Sequence, residues 1–446
     1  VTASDIVPGR PSGAAKAARG AGTRAWVVTG LLVVFMMVNF ADKSVLGLAA
    51  DEVMADLGLT ATEFGLANSA FFLLFSVAAI VVGMVADRVS PKLLLLVMAL
   101  LWSVAQVPVA LGGGLAVLIA SRIVLGAAEG PAFPVAQQAA LAWFPNERRN
   151  LPGALVTIGV TLGVIVSAPT LSWIIQNHDW RIALWVLAGV GLVWSAVWYL
   201  VGADGRYSTD RDEGPEGSGS AAAAVARRAA AAADAARIPY RRIYASRTWI
   251  GATLSYFVTY WVVALMLVWL PSFLRNGLGY SAEAASLIVI APWAVGAVVL
   301  LAQAFLSGKL MSRGFSSRVA RGHVGGWTIT IGAAACLAVP FVDGTTAQTI
   351  LVAIGFGFGG AYATVAVTTI AELAPASRRG GSLGMMNALV TTAGLVAPAV
   401  VGLLVDAQGN DGYFNAVLLS GGLLLVGAVA SFALIDPARD AARLNR

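Results

Sequence analysis

The sequence predicts an all-α polytopic membrane protein, twelve transmembrane helices in two six-helix halves. Composition is the first reason. Of 446 residues 58% are hydrophobic and only 12% charged, against about 25% charged in a soluble domain, and the mean hydropathy is +0.80. Spacing is the second. Apolar windows recur at roughly 26–50, 63–86, 93–111, 115–142, 152–175, 182–202, 249–273, 283–308, 323–341, 347–371, 382–405 and 413–435, each near the ~20 residues a helix needs to cross hydrocarbon. The third is the polar stretch 203–248, which leaves six windows on either side.

Lys and Arg set the orientation, because cytoplasmic loops retain them. With the N-terminus inside, 25 of the 29 fall on the inner side; Arg181 and Arg275 fall outside, and Lys43 and Arg122 lie within spans. The outer loops carry Asp51, Glu52, Asp56, Asp343, Asp406 and Asp411. The expected layout is a multi-pass protein of the cell membrane with both termini cytoplasmic. It comprises an inner tail 1–25, a first half 26–202, an inner linker 203–248, a second half 249–435 and an inner tail 436–446. The net charge of +6 is then a topology signal, and nucleic acid is not an expected partner. Residues 1–25 lack the apolar core and cleavage site of a signal peptide, so the first span is expected to be kept.

Along the chain, span one carries the first polar anomaly. Asp42 and Lys43 sit side by side in an apolar run, preceded by Asn39 and Phe40. A charge at the centre of a spanning helix costs roughly 2.5–3.5 kcal/mol on insertion scales, and such residues usually face a cavity. Span two ends at Gly83, with Asp87, Arg88 and Lys92 in the following inner loop. Span four holds Arg122 and Glu129, seven residues apart and so on one helix face. The linker opens with Gly, Asp, Glu and Ser and reads as flexible, with an Ala-rich stretch, Ala221–Arg237, that suits a short surface helix. Span seven presents Tyr256 and Tyr260 on one face, with Trp261, Trp269 and Pro271 as further cavity-lining candidates; interfacial anchoring explains Trp269 equally well, and core packing explains the others as readily. The glycine run Gly355, Gly357, Gly359 and Gly360 lies inside an apolar span, so it suits close helix packing and not a phosphate loop. The single cysteine, Cys336, allows no disulfide within the chain, and no Cys/His cluster suggests a metal; no cofactor is expected. His178 and His323 fall at span ends, as interfacial side chains do.

Six spans, a long inner linker and six more is a transporter plan with a site between the halves. The Gly83–Asp87–Arg88 spacing with Lys92 resembles the inner-loop pattern of the major facilitator superfamily, and implies a gating role for these residues. The second copy, Gly308 to Arg313, has Ser312 where that pattern has Asp. Asn39, Phe40, Asp42 and Lys43 resemble the Asn-Tyr-x-Asp-Arg of the first helix in the anion:cation symporter branch. Arg122, Gly126, Glu129, Phe133 and Pro134 closely resemble its fourth helix. Asp179-Trp180-Arg181, Gly189, Gly191 and Trp194 resemble its sixth, and Asn387, Gly394 and Pro398 its eleventh.

The resemblance implies a proton-coupled symporter of a small organic anion working by alternating access, expected as a monomer in the bilayer. Asp42 and Glu129 are the implied proton-coupling residues. Burial favours a neutral acid and a neighbouring cation favours the carboxylate, so an acid poised between them can load and lose a proton. Lys43 and Arg122, with Asn39, Phe40, Tyr256, Tyr260, Asn387 and Thr391, are the candidate substrate contacts. Arg122 reads also as the ion partner of Asp42 or Glu129, and Lys43 as the neutraliser of Asp42. Phe40, Val160 and Thr391 stand where sugar-acid members carry tyrosine, glutamine and asparagine. Each change removes hydrogen-bonding capacity, which tilts the expected cargo toward a less hydroxylated carboxylate. The alternative, a drug/proton antiporter, requires a Gly-Pro pattern in span five that Gly159 and Gly163, followed by Val164, do not complete. A membrane sensor has no attached signalling domain here, and an intramembrane enzyme has no nucleophile–base set.

Overall fold

The computed structural model describes residues 13–85, 89–144, 150–205 and 238–444. In hydrocarbon every backbone N–H and C=O must find its partner within the protein, so spanning segments are helices or closed barrels. Among the described residues twelve helices are long and apolar enough to cross a bilayer. They are Gly22–Leu48, Ala61–Val82, Pro91–Ala110, Leu115–Leu141, Leu151–Asn177, Trp180–Val201, Arg247–Val268, Ala282–Ser312, Arg318–Phe341, Thr345–Leu373, Arg378–Gln408 and Asp411–Leu434. They match the twelve windows to within a few residues and are called spans one to twelve below. The Ala-rich stretch expected as a surface helix lies outside the described residues, as do Asp87 and Arg88; Gly83 is within the last turns of the helix Ala61–Val85.

The ends differ from expectation. The first helix runs Gly13–Leu48, through half of the expected tail. The C-terminal tail is also helical, Pro437–Leu444, and is docked. Asp440, only 3% exposed, accepts from the Thr248 backbone N–H at 2.9 Å, while the Ser246 hydroxyl accepts from Trp249 N–H one residue on. Two orphan donors at the start of span seven are thereby satisfied. Burial works against the Asp440 charge, but hydrogen bonds from Arg439 and Thr248 outweigh it and hold the carboxyl below the usual carboxylate range.

Small residues let the helices close on one another. A side chain at Gly126 or Gly130 of span four would collide with the Phe71 or Phe75 carbonyl oxygen of span two. Span four therefore lies backbone to backbone on span two, and Arg122 and Glu129 are carried into the first half's interior. The span-ten glycines behave as expected: a Cβ at Gly355 would meet Cys336 Sγ at 2.6 Å, and one at Gly357 would meet Val295. Two helix breaks near the site sit at a polar or a proline position. Span three is interrupted at Gln106, two residues before Pro108, and span four at Gly130–Pro131.

The halves meet on the face opposite the termini. Gly47 abuts the Leu267 carbonyl, Gly65 the Pro398 carbonyl and Gly402 the Ala61 carbonyl. Trp269, expected as a cavity or interface residue, is 2% exposed; its indole N–H donates to Pro398 O at 3.0 Å and its ring packs edge-on to Phe64. Trp261 is turned into the second half and donates to Ser420 Oγ at 3.1 Å. Each spends its polar edge on a helix neighbour and is packed as a core side chain. Arg275 of the loop after span seven bridges Asp51 at 3.3 Å and Glu52 at 2.8 Å. Asp406 accepts from the Ala61 and Thr62 N–H groups at the start of span two. Deeper in, Ser76 and Thr391 join hydroxyl to hydroxyl.

Two outcomes are expected. Gly65→Val cannot close this face, so transport is lost while membrane insertion and yield are retained; uptake assays on matched amounts of inserted protein check it. Asp440→Ala removes one helix cap worth about 1 kcal/mol, read as a lower melting temperature in detergent. Because the folded carboxyl titrates below its unfolded value of about 3.9, its contribution is present above that value. It is lost as pH falls through the folded value, so the gap between wild type and variant narrows on acidification.

Candidate functional site

Span one brings Asn39, Phe40, Asp42 and Lys43 against span four, where Arg122 and Glu129 share a face. Asp42 and Glu129 are each 1% exposed and Arg122 4%. The Lys43 side chain is 10% exposed and forms the ion pair, Nζ to Glu129 Oε2 at 3.4 Å. It also donates to Asn39 Oδ1 at 2.5 Å, one helical turn back. The pairing differs from the sequence expectation. Lys43 neutralises Glu129 and not its neighbour Asp42, because adjacent residues on a helix point away from each other. Arg122 makes no ion pair within 4.0 Å with either acid. Its guanidinium stands about 6.0 Å from the Phe71 ring centroid, and its Nε and Nη2 have no hydrogen-bond partner.

Asp42 is held instead by Gln106, whose Nε2 donates to Oδ1 at 3.0 Å; Asp42 Oδ2 and both Glu129 oxygens accept no hydrogen bond. Two small cavities meet at Arg122. One, about 10 Å³, is lined by Asp42, Gln106, Ser121, Arg122 and Leu184. The other, also about 10 Å³, lies between the halves and is lined by Lys43, Asn68, Phe72, Arg122, Leu267 and Val268. Lys43 and Arg122 are thus the charged groups that line the space between the halves, and neither acid lines it.

Aromatic rings enclose the ammonium. Lys43 Nζ lies 4.5 Å from the Phe40 centroid and 5.5 Å from that of Phe75, a favourable cation–π arrangement. Phe40 meets Trp293 of span eight edge to face at 6.2 Å. Phe72 meets Tyr260 in the same way at 6.1 Å, and Tyr260 meets Tyr256 at 6.4 Å. The two tyrosines therefore join the site through span two. Thr391 and Asn387 join it less directly. The Thr391 hydroxyl is engaged by Ser76 and by the Asn387 carbonyl, which ties it to the contact between spans two and eleven, and Asn387 is half-buried one turn before it. The sequence reading missed Gln106, Asn68, Phe72, Phe75 and Trp293. A lone amide beside a proline in an otherwise apolar span was the available signal for Gln106; nothing in the sequence singles out the phenylalanines.

Two acids and two cations sum to zero when all are ionised. A balanced set is the condition under which charges tolerate burial, and adding one proton leaves one cation in surplus. Lys43→Met is expected to cost roughly 3–5 kcal/mol, the penalty for stranding a buried partner, with much of it recovered in Lys43→Met/Glu129→Gln. A double-mutant cycle on unfolding in detergent measures the coupling.

The family model of the Major Facilitator Superfamily matches residues 32–363. A probable sulfoacetate transporter of Cupriavidus necator is 30% identical, the match covering 92% of this chain and 94% of the relative. A hexuronate transporter of Bacillus subtilis is 28% identical, over 90% and 92%, and a D-galactonate transporter of Escherichia coli 26% identical, over 93% and 96%. Among solved structures, a bacterial homologue of the human lysosomal transporter Spinster, inward-facing and unoccupied, aligns with a TM-score of 0.76 at 17% identity, covering 94% of this chain and 98% of that one. A D-xylose–proton symporter aligns at 0.72 and 14% identity, over 93% and 99%.

Proposed function

The chain belongs to the major facilitator superfamily of transporters and matches its anion:cation symporter branch, and from that premise we propose that it imports a small organic carboxylate together with protons. The observation that carries the reading is the Lys43–Glu129 ion pair at 3.4 Å, with Lys43 turned to the space between the halves. Protonation of Glu129 releases Lys43. The ammonium is then the surplus charge that an incoming carboxylate neutralises, and Arg122, whose Nε and Nη2 are unpartnered, is the second cation available. Loading one proton with each negative charge of the cargo keeps the buried set neutral. Two acids, Asp42 and Glu129, give capacity for a dianion. Protons are driven inward across an energised membrane, and symport offsets the repulsion of an anion by a negative interior.

The halves then rock about the loaded site. The arrangement described, closed by Arg275, Asp51, Glu52 and Asp406 on the face opposite the termini, corresponds to one end of that cycle. Gly83, Asp87 and Arg88 are assigned to gating on the termini face. The lysine and arginine distribution supports cytoplasmic termini in the cell membrane, and the protein is assigned as a monomer.

The cargo proposed is compact and sparsely hydroxylated. Phe40 and Phe75 flank the Lys43 ammonium, Phe72 lines the same cavity and Trp293 backs Phe40, and Lys43 is a point charge without the bidentate fork of arginine. The relative named for sulfoacetate, a two-carbon acid, favours this reading; those named for hexuronate and galactonate favour a sugar acid. Uptake into proteoliposomes under an imposed pH gradient, with sulfoacetate, benzoate, galacturonate and galactonate side by side, decides between them. Preferred galactonate uptake overturns the compact cargo. In the same vesicles Glu129→Gln is expected to abolish gradient-driven accumulation while sparing exchange of labelled for unlabelled substrate. Loss of both assigns Glu129 to binding or structure instead.

A further inference from the structure

Gln106 is 2% exposed and sits at the break in span three, between the helical segments Pro91–Ala105 and Val107–Ala110. Pro108 cannot donate to the helix ladder, and Ser121 Oγ of span four donates to the Ala105 carbonyl at 2.6 Å, which pins the break against the site. The amide Nε2 donates to Asp42 Oδ1 at 3.0 Å. Its Oε1 and the second carboxylate oxygen, Asp42 Oδ2, are both buried without a partner. The groups that face Asp42 are Lys43 on its own helix, Gln106 from span three, Arg122 and Glu129 from span four, and the apolar Leu184 from span six.

The amide is the group already bonded to Asp42 that has both a donor and an acceptor at all pH values; lysine and arginine donate and cannot accept, and the Ser121 hydroxyl in the same cavity spends its donor on the Ala105 carbonyl. A buried carboxyl that titrates leaves a partner of fixed polarity unsatisfied in one of its two states, at about the cost of a lost hydrogen bond. We infer that Gln106 is a positioning residue for Asp42, its amide donating to the carboxylate and turning to accept the O–H of the protonated acid through Oε1. A half-turn of the amide about its terminal bond exchanges Nε2 and Oε1 in place, so the swap needs no large cavity. The proton comes from the solution on the loading side and forms the Asp42 O–H bond; no other bond is made or broken. The inference rests on the proton-coupled reading in that it takes Asp42 as a group that titrates during transport.

The test needs no substrate. Infrared titration of the purified protein follows the carboxyl C=O band, and the part removed by Asp42→Asn is that of Asp42. In Gln106→Met, equal in length and without polar hydrogens, the charged form loses the stronger of the two bonds. The midpoint is expected to move about one pH unit toward alkaline, a tenfold change in the equilibrium, and the band itself to shift because the neutral acid has lost its acceptor. An unchanged midpoint and band overturn the inference, as does the absence in wild type of any titrating band that Asp42→Asn removes. Where Gln106→Met does not fold, Gln106→Asn, which withdraws the amide by one methylene, is expected to shift the same way and overturns the inference by not doing so. Gradient-driven uptake by the wild type tests the coupling separately. A shifted band together with uptake indifferent to pH keeps the role of Gln106 and removes the proton-coupled reading.

Discussion

Two carboxylates and two cations are buried within reach of one another between spans one and four, and their charges cancel. No member of the set tolerates removal from water alone. Everything near them serves that balance: Lys43 reaches Glu129, Gln106 reaches Asp42, and Phe40 and Phe75 offer ring faces to the ammonium. On the proposed function the same balance makes the set responsive, because a proton taken up is matched by the negative charge of the cargo, and Lys43 lines the space between the halves where that charge would meet it.

The backbone makes the arrangement possible. Glycines at 126 and 130 bring span four onto the carbonyls of span two, close enough that Glu129 lies beside Lys43. The break at Gln106 turns an amide inward in a helix that is otherwise apolar. On the face opposite the termini the halves close by similar means, Gly47, Gly65 and Gly402 against carbonyls, with Arg275 and Asp406 adding polar contacts at the rim. The Arg275 pairs are half-buried and Asp406 is an exposed helix cap.

Much of the fold was legible before any coordinates. Twelve windows of helix-crossing length became twelve helices, since hydropathy and backbone satisfaction leave a spanning segment few alternatives. Asp42, Lys43, Arg122 and Glu129 stood out because charge in hydrocarbon is costly enough to be rare, and the structure does bring all four together. The pairing was not legible. Sequence adjacency suggested Asp42 for Lys43, and helix geometry sends the two side chains apart. Trp261 and Trp269 were left open for a related reason. A tryptophan in a span suits a cavity, an interface or a core equally well, and the acceptors that decide, Ser420 Oγ and Pro398 O, lie more than a hundred residues away.

The sequence by itself determined the spans, the sidedness of charge and the identity of the buried ionisable residues, because each follows from one residue's cost in lipid. Only the tertiary structure decided which acid each cation or amide serves, which aromatic rings enclose Lys43, and that Thr391 is engaged by Ser76. Those outcomes depend on where helices distant in sequence cross, and the crossing points are set by glycine contacts and helix breaks whose partners no local pattern names.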